Sequence, residues 1–264
     1  SYLNQEYKAG IDAIRLDKSF SNFSGVNIVI NKMNKYNNSG NYLENTLSQS
    51  YQRIGLERDV GFLLRGYTTI NETDYALLYK TEPEGHRIGI EIDDEMGSFN
   101  IYDEITYLWD TDKITMPGSY KGNLLKNYFM NVLGLHYRFD NSLQITAEYL
   151  FNGLGDSNNL DAANIRYNNG LSSSLNKHII GISLNYEFNP LLIGNYDTKI
   201  AWEDSSNQHN LSLTKSISDN IDFIVGSQIN IGDRPNGSNW QNPNLQSEFG
   251  RLTNNYYLKF NCYF

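Results

Sequence analysis

The chain has 264 residues, 39% of them hydrophobic, with 20 Tyr, 12 Phe, 3 Trp and a formal net charge of −9. A chain this aromatic has too much to bury for intrinsic disorder, no apolar run reaches the ~20 residues of a spanning helix, and the negative balance argues against nucleic acid as a partner. Its one cysteine, Cys262, excludes an internal disulfide framework and any CxxC metal or redox site.

The first residues, Ser1-Tyr2-Leu3-Asn4-Gln5-Glu6, lack the basic and apolar regions of a secretory signal, which leaves a cytosolic protein or a mature or truncated chain. Ser1–Lys8 can be read as one further strand. Over Tyr51–Thr69 the apolar residues Ile54, Leu56, Val60, Phe62 and Leu64 share one parity, and Arg53, Glu57, Asp59 and Arg65 the other. A period of two is the signature of a strand, with alternate side chains on opposite faces. This segment reads as one long strand that projects beyond its neighbours. Ile88, Ile90 and Ile92 then oppose Arg87, Glu91 and Asp93. Phe99, Ile101, Ile105, Tyr107 and Trp109 oppose Asn100, Glu104 and Thr106, with Asp103 out of place on the apolar row.

The alternation continues through Phe129–Phe139 (Leu133, Leu135 and Tyr137 against Gly134, His136 and Arg138) and Leu143–Asn152 (Ile145, Ala147 and Tyr149 against Gln144, Thr146 and Glu148). In His178–Phe188 the apolar residues Ile180, Ile182, Leu184 and Tyr186 oppose Gly181, Ser183, Asn185 and Glu187. Tyr196, Ile200 and Trp202 oppose Asp197, Lys199 and Glu203, and Phe223, Val225 and Ile229 oppose Asp222, Gly226 and Gln228. Tyr256, Leu258, Phe260, Cys262 and Phe264 form the apolar row of a last strand that also carries Lys259. The chain is all-β.

Tight turns such as Asp140-Asn141-Ser142, Asn189-Pro190 and Ser218-Asp219-Asn220 alternate with long polar connections at Lys35–Ser50, Asp110–Lys126, Gly153–Asn176 and Asp233–Gly250. Long connections at one end and short ones at the other are the plan of an up-and-down antiparallel transmembrane β-barrel. The competing plan is a soluble sandwich, which would bury Ile182, Leu184 and Phe223 between two sheets. Three features favour the barrel. Aromatic residues stand at the ends of the apolar rows (Trp109, Tyr149, Phe151, Tyr186, Phe188, Trp202), the polar rows are rich in glycine, and every strand has an antiparallel neighbour. The expected architecture is a single barrel domain over residues 1–264 with about 12–14 strands. An odd count suggests a larger barrel whose N-terminal strands are absent.

The stretches ITAEYLFN (Ile145–Asn152), HIIGISLNYEFNPLL (His178–Leu192) and TKSISDNIDF (Thr214–Phe223), with Ser247-Glu248-Phe249-Gly250 before the last strand, resemble porins of the alginate-export and related porin-like group. The aromatic C-terminal strand resembles the signal read by the barrel-assembly machinery. The resemblance implies a bacterial outer-membrane location, contact with outer-membrane lipid and lipopolysaccharide, and passage of small polar solutes or ions. A homo-oligomer is left open.

In a barrel the polar rows line the lumen. The candidate lumen residues are Arg53, Arg65, Glu91, Glu104, Arg138, Glu148, Glu187, Asp197, Lys199 and Lys259. Charge rows of this kind bias solute passage, but most of these residues are expected to pair across neighbouring strands and stabilise the wall, with a few at a constriction. No catalytic residue is assigned: His209 and Ser212 are close in sequence but differ in parity. The four histidines have no metal-ligand spacing, and no cofactor or metal is expected. The acidic stretch from Gly155 to Asp161 lacks the order of a calcium loop. A non-conducting barrel acting through its external loops as receptor, adhesin or scaffold is the alternative.

Overall fold

A computed structural model describes residues 13–32, 52–54, 60–82, 85–109, 113–115, 127–156, 160–168, 172–236 and 244–263. The strands in chain order are β1 (Ala13–Ser21), β2 (Ser24–Lys32), β3 (Gln52–Ile54), β4 (Val60–Ile70), β5 (Thr73–Glu82), β6 (Gly85–Met96), β7 (Phe99–Trp109), β8 (Lys113–Thr115), β9 (Tyr128–Arg138) and β10 (Leu143–Asn152). After a helix, α1 (Leu160–Asn168), follow β11 (His178–Asn189), β12 (Leu192–Ala201), β13 (Asn207–Ser218), β14 (Ile221–Ile231) and β15 (Asn255–Cys262). All but β3 and β8 form one 13-stranded antiparallel sheet in which each strand pairs with the next along the chain. β1 and β15 are its two edges.

The turns at 22–23, 71–72, 97–98, 139–142, 190–191 and 219–220 all lie at one end of this sheet. At 71–72 both central residues, Asn71 and Glu72, have positive φ (52° and 72°), the backbone that lets a two-residue hairpin follow the strand twist. The long connections all lie at the other end, along with two short ones, β5 to β6 and β12 to β13. The regular alternation of short and long expected along the chain therefore breaks at two places, while the segregation by end holds.

The described parts of Tyr51–Thr69 belong to two different sheets and not to one long strand. The wall strand β4 begins at Val60, and Gln52–Ile54 instead pairs with Lys113–Thr115 as a separate two-stranded sheet. Two long connections meet at the same end, and the segment that would have projected alone satisfies its backbone groups against the other connection. Residues 1–8, and the proposed extra strand with them, lie outside the described residues.

Register fixes the faces. Ile145 and Ala147 of β10 stand opposite Leu184 and Ile182 of β11, which stand opposite Tyr196 and Thr198 of β12. Tyr196 meets Leu211 of β13, Leu213 meets Val225 of β14, and Val225 meets Leu258 of β15. One apolar face thus runs across the sheet. No second sheet covers it among the described residues: Leu133, Leu211 and Leu258 are 47%, 57% and 69% exposed, and Ile182, Leu184 and Phe223 are half-buried by their own neighbours. This is not the sandwich arrangement.

Two aromatic rows bound that face. At the long-connection end the same pair recurs three times: Tyr79 Oη with His86 Nδ1 at 2.8 Å, Tyr149 with His178 at 2.6 Å, and Tyr196 with His209 at 2.8 Å. Each pair is also stacked, with ring centroids 5.9–6.0 Å apart. At the short-turn end Phe99 packs on Tyr137, Tyr186 on Phe188 and Phe223 on Phe260.

On the polar face, tyrosines lie over glycines of the neighbouring strand. Tyr67 faces Gly25, Tyr102 faces Gly134 and Tyr257 faces Gly226 in register, and a Cβ on any of these glycines would overlap the ring. Gly134→Ala is therefore expected to lower the unfolding free energy by ~1–3 kcal/mol through overpacking. The denaturant midpoint should fall, and less so in a Tyr102→Ala background.

Candidate functional site

The polar face is the chemically richest surface. Arg65, Glu91, Glu104, Arg138, Glu148, Glu187, Asp197, Lys199 and Lys259 all stand on it, each at the parity opposite the apolar row of its strand. Arg53 does not: it lies on β3, apart from the wall, and its side chain is outside the described residues.

Three of these residues come together on β4–β7. Arg65 donates from Nε (3.0 Å) and Nη2 (2.6 Å) to Glu91 Oε2, reaching across β5. Glu91 stands directly opposite Glu104, and on the adjacent row Asp74 stands opposite Asp93. Like charges in register oppose folding. Local donors relieve one of these pairs: Thr69 Oγ1 donates to Asp74 at 2.5 Å and Asn100 Nδ2 to Asp93 at 2.6 Å. Farther round, Tyr102 Oη donates to Glu148 Oε1 at 2.5 Å across Gly134. Gly181 separates Glu148 from Lys199 in the same row. Arg138, Glu187, Asp197 and Lys259 are not brought to one another; among the described residues they make no ion pair. Asp74 and Tyr102 are the additions to the sequence-derived set. Tyr102 sits on the polar parity, the signal that would have found it.

The long-connection end holds a second constellation. Here lies most of the water-excluded core: Leu154, Ala162, Ala163, Leu175, Leu245 and Phe249 are buried, and Tyr167 of α1 packs on them. The polar residues among them are buried too, so each needs partners. Asn164 exchanges hydrogen bonds with the backbone of Leu245, its Nδ2 donating to O (2.9 Å) and its Oδ1 accepting from N (3.0 Å). Asn152 Nδ2 donates to the hydroxyls of Ser172 (3.0 Å) and Ser174 (2.8 Å), and Arg166 donates to Leu154 O at 3.1 Å. Arg251 donates to Tyr167 Oη while its guanidinium covers that ring.

Glu248 ties three segments. Its Oε2 accepts from the backbone N–H of Leu175 (2.6 Å) and Asn176 (3.2 Å), and its own N–H donates to Asp204 Oδ2 at 2.8 Å. Burial pushes its carboxyl above the ordinary range, against the pull of those donors and of Arg251. The described parts of this connection, 153–156, 160–168 and 172–176, are therefore folded onto the segment around Glu248 and are not merely hydrophilic loop.

His209 and Ser212 face opposite sides of β13, opposite Ile229 and Gly226 respectively. No group of three or more His, Cys, Asp or Glu able to hold a metal occurs among the described residues.

No protein-family model matches the chain, and no curated protein sequence matches it. Solved structures do. A mutant of Rhodopseudomonas blastica porin is 11% identical over 84% of this chain and 72% of its own, with a TM-score of 0.46. Another mutant of that porin is 10% identical over 88% and 75%, with a TM-score of 0.48. A structure described as "Asymmetric conductivity of engineered proteins" is 10% identical over 88% and 73%, at 0.47. These likenesses assign no role to any residue.

Proposed function

We propose that this chain forms the wall of a bacterial outer-membrane β-barrel through which small hydrophilic solutes or ions diffuse passively. One observation carries this reading: an antiparallel sheet presents an apolar face, bounded by two aromatic rows, that no second sheet covers among the described residues. An apolar surface of this extent needs an apolar solvent. From His178 to Phe188, at ~3.3 Å per residue, the strand runs about 33 Å. Inclined at ~40°, it rises about 25 Å, the depth of the apolar band on a membrane barrel. The Tyr–His pairs suit a water–lipid boundary, where an aromatic ring is apolar on one side and its polar atom needs a partner. The opposite face, with Arg65, Glu91, Glu104, Lys199 and Lys259, then lines the lumen. The reading also requires the free edges of β1 and β15 to be hydrogen-bonded in the bilayer, because hydrocarbon offers unpaired backbone groups nothing.

Planar bilayers test the channel directly. Stepwise ohmic conductance is expected on insertion, and an inserted protein that never conducts would sink the proposal. A second experiment tests the faces. Ile182→Arg should destabilise the bilayer-folded protein by ~2–4 kcal/mol, whereas Ser183→Arg on the other face should cost little. Equal effects would contradict the assignment of lipid and lumen.

The folded assembly around Glu248 favours a second reading, a non-conducting barrel that presents a rigid surface to a partner. Insertion without conductance selects it.

A further inference from the structure

The two edges of the sheet run the same way. β1 ends at the turn at 22–23, and Cys262, the last residue of β15, stands opposite Ile221, which follows the turn at 219–220. Both strands therefore run from the long-connection end to the short-turn end. No Cα of β1 lies within 8 Å of one of β15, whereas paired strands stand ~4.8 Å apart. The edges form no direct seam, and one strand set between them would hold them about 10 Å apart. Every residue of β1 is exposed, and the outward N–H and C=O groups of β1 and β15 pair with no described strand. Hydrocarbon offers those groups nothing.

Direction restricts what can fill the gap. An antiparallel neighbour for both edges must run from the short-turn end to the long-connection end, so the filler has an odd number of strands. A second copy inserted in the same orientation would bring its β15 against β1, again two strands running the same way. We propose that residues 1–8 form the strand that closes this sheet, hydrogen-bonded to β1 on one side and to β15 on the other. The proposal rests on the membrane reading above.

Length, parity and charge support this occupant. The segment has eight residues, as β15 has, and β1 has nine. The four residues 9–12, Gly10 among them, suffice for a hairpin connection into Ala13. That connection lies at the long-connection end, where β1 begins, so the segment runs in the required direction. It sets Lys8 opposite Ala13, and the register follows: Tyr7 opposite Ile14, Glu6 opposite Arg15, Asn4 opposite Asp17. Leu3 and Tyr7 then extend the apolar row of Ile14 and Leu16, which are 66% and 60% exposed, and Asn4, Glu6 and Lys8 extend the polar row. Glu6 gives a cross-strand partner to Arg15, whose Nε donates to Asp17 of its own strand at 2.9 Å. On the other edge Lys259 stands on the polar row with no ion pair among the described residues. An acidic residue on the polar row of the filler is favoured from both sides. Against β15 the same parity rule sets Leu3, Gln5 or Tyr7 opposite Cys262, the one cysteine of the chain.

Directly opposed residues of antiparallel strands are close enough for a disulfide, so Cys262 supplies the test. Leu3→Cys, Asn4→Cys, Gln5→Cys, Glu6→Cys and Tyr7→Cys are each made in the full chain and folded into vesicles. Bond formation with Cys262 is followed by reductant-reversible gel mobility. Cross-links within one chain should form at one or two of the odd positions, at least tenfold faster than in Asn4→Cys and Glu6→Cys, and Phe20→Cys on β1 should form none. Equal rates at odd and even positions, or no cross-link at any of them, overturn the proposal. So does a fast bond within the chain in Phe20→Cys, which means a parallel seam between β1 and β15. Dimers linked faster than the wild type links through Cys262 alone overturn it too, and put a second copy at the edge. Insertion of the wild type is scored separately by protease protection. A wild type that never inserts counts against the membrane reading, so the two failures are distinguishable.

Discussion

Glu104→Gln should lower the cation-to-anion permeability ratio of the reconstituted chain about sevenfold, and adding Glu91→Gln should lower it further. A unit charge ~7 Å from a permeating ion in water is worth about 0.6 kcal/mol, close to RT, so each charge removed disfavours the cation about threefold and favours the anion about threefold, a change of about sevenfold in the ratio. Glu91 has the larger leverage because its loss also uncovers Arg65, which now donates to it twice. The effect should shrink as salt rises and the screening length falls below ~10 Å. Reversal potentials in a salt gradient measure it. A second consequence separates selectivity from damage to the fold. Glu104 stands opposite Glu91, so its neutralisation removes a like-charge repulsion and should leave stability unchanged or improved. An unaltered reversal potential would mean that ions do not pass this part of the wall.

Glu248→Ala should loosen the long-connection assembly without touching the sheet. The substitution leaves the backbone N–H groups of Leu175 and Asn176 buried with nothing to donate to, at about 1–3 kcal/mol for each unsatisfied group. Amide exchange at those two positions should accelerate by roughly tenfold to a hundredfold, while the amides of β11 and β12 stay protected. The assembly should also respond to pH in a defined direction. Burial raises the Glu248 carboxyl in the closed assembly above its ordinary value of 4.5, so the closed form binds a proton more tightly than the open one. Its stability is then fully developed below that ordinary value and declines as pH rises through the raised one. Asp204, Glu203, His178 and Arg251 are the other charged or titratable groups nearby, and Arg251 opposes the shift. In Glu248→Gln this component of the pH dependence should vanish. Exchange rates at Leu175 measured across the acid range decide it.

The strands were legible because alternation is a local property. In β11, Ile180, Ile182 and Leu184 against Gly181 and Ser183 fix both the strand and its faces without knowledge of any partner. The same locality explains the failures. Ile54 and Leu56 share parity with Val60, so the row reads straight through to β4; what divides it is pairing with Lys113–Thr115, some sixty residues away. That is why Arg53 was assigned to the wall. Asp103 was visible as an exception, but its partner Asn131 appears only once β7 is set beside β9. Tyr102 stands on the polar parity, but that its ring has a place to lie there shows only in the register with Gly134. Nothing in the stretch Ser247-Glu248-Phe249-Gly250 marks Glu248 as buried. Its burial arises where the segments around Leu175, Asp204 and Phe249 converge, and each of these reads alone as an ordinary hydrophilic loop.

Because every wall strand bonds to its sequence neighbours, the described wall is a run of successive hairpins with no crossover in its strand order. Excising two consecutive strands, or copying them, would leave the pairing order of the remaining strands intact and alter the width of the sheet. Such a chain can change its bore in steps of one hairpin, and each pair can add itself as it emerges, since no distant segment has to arrive first.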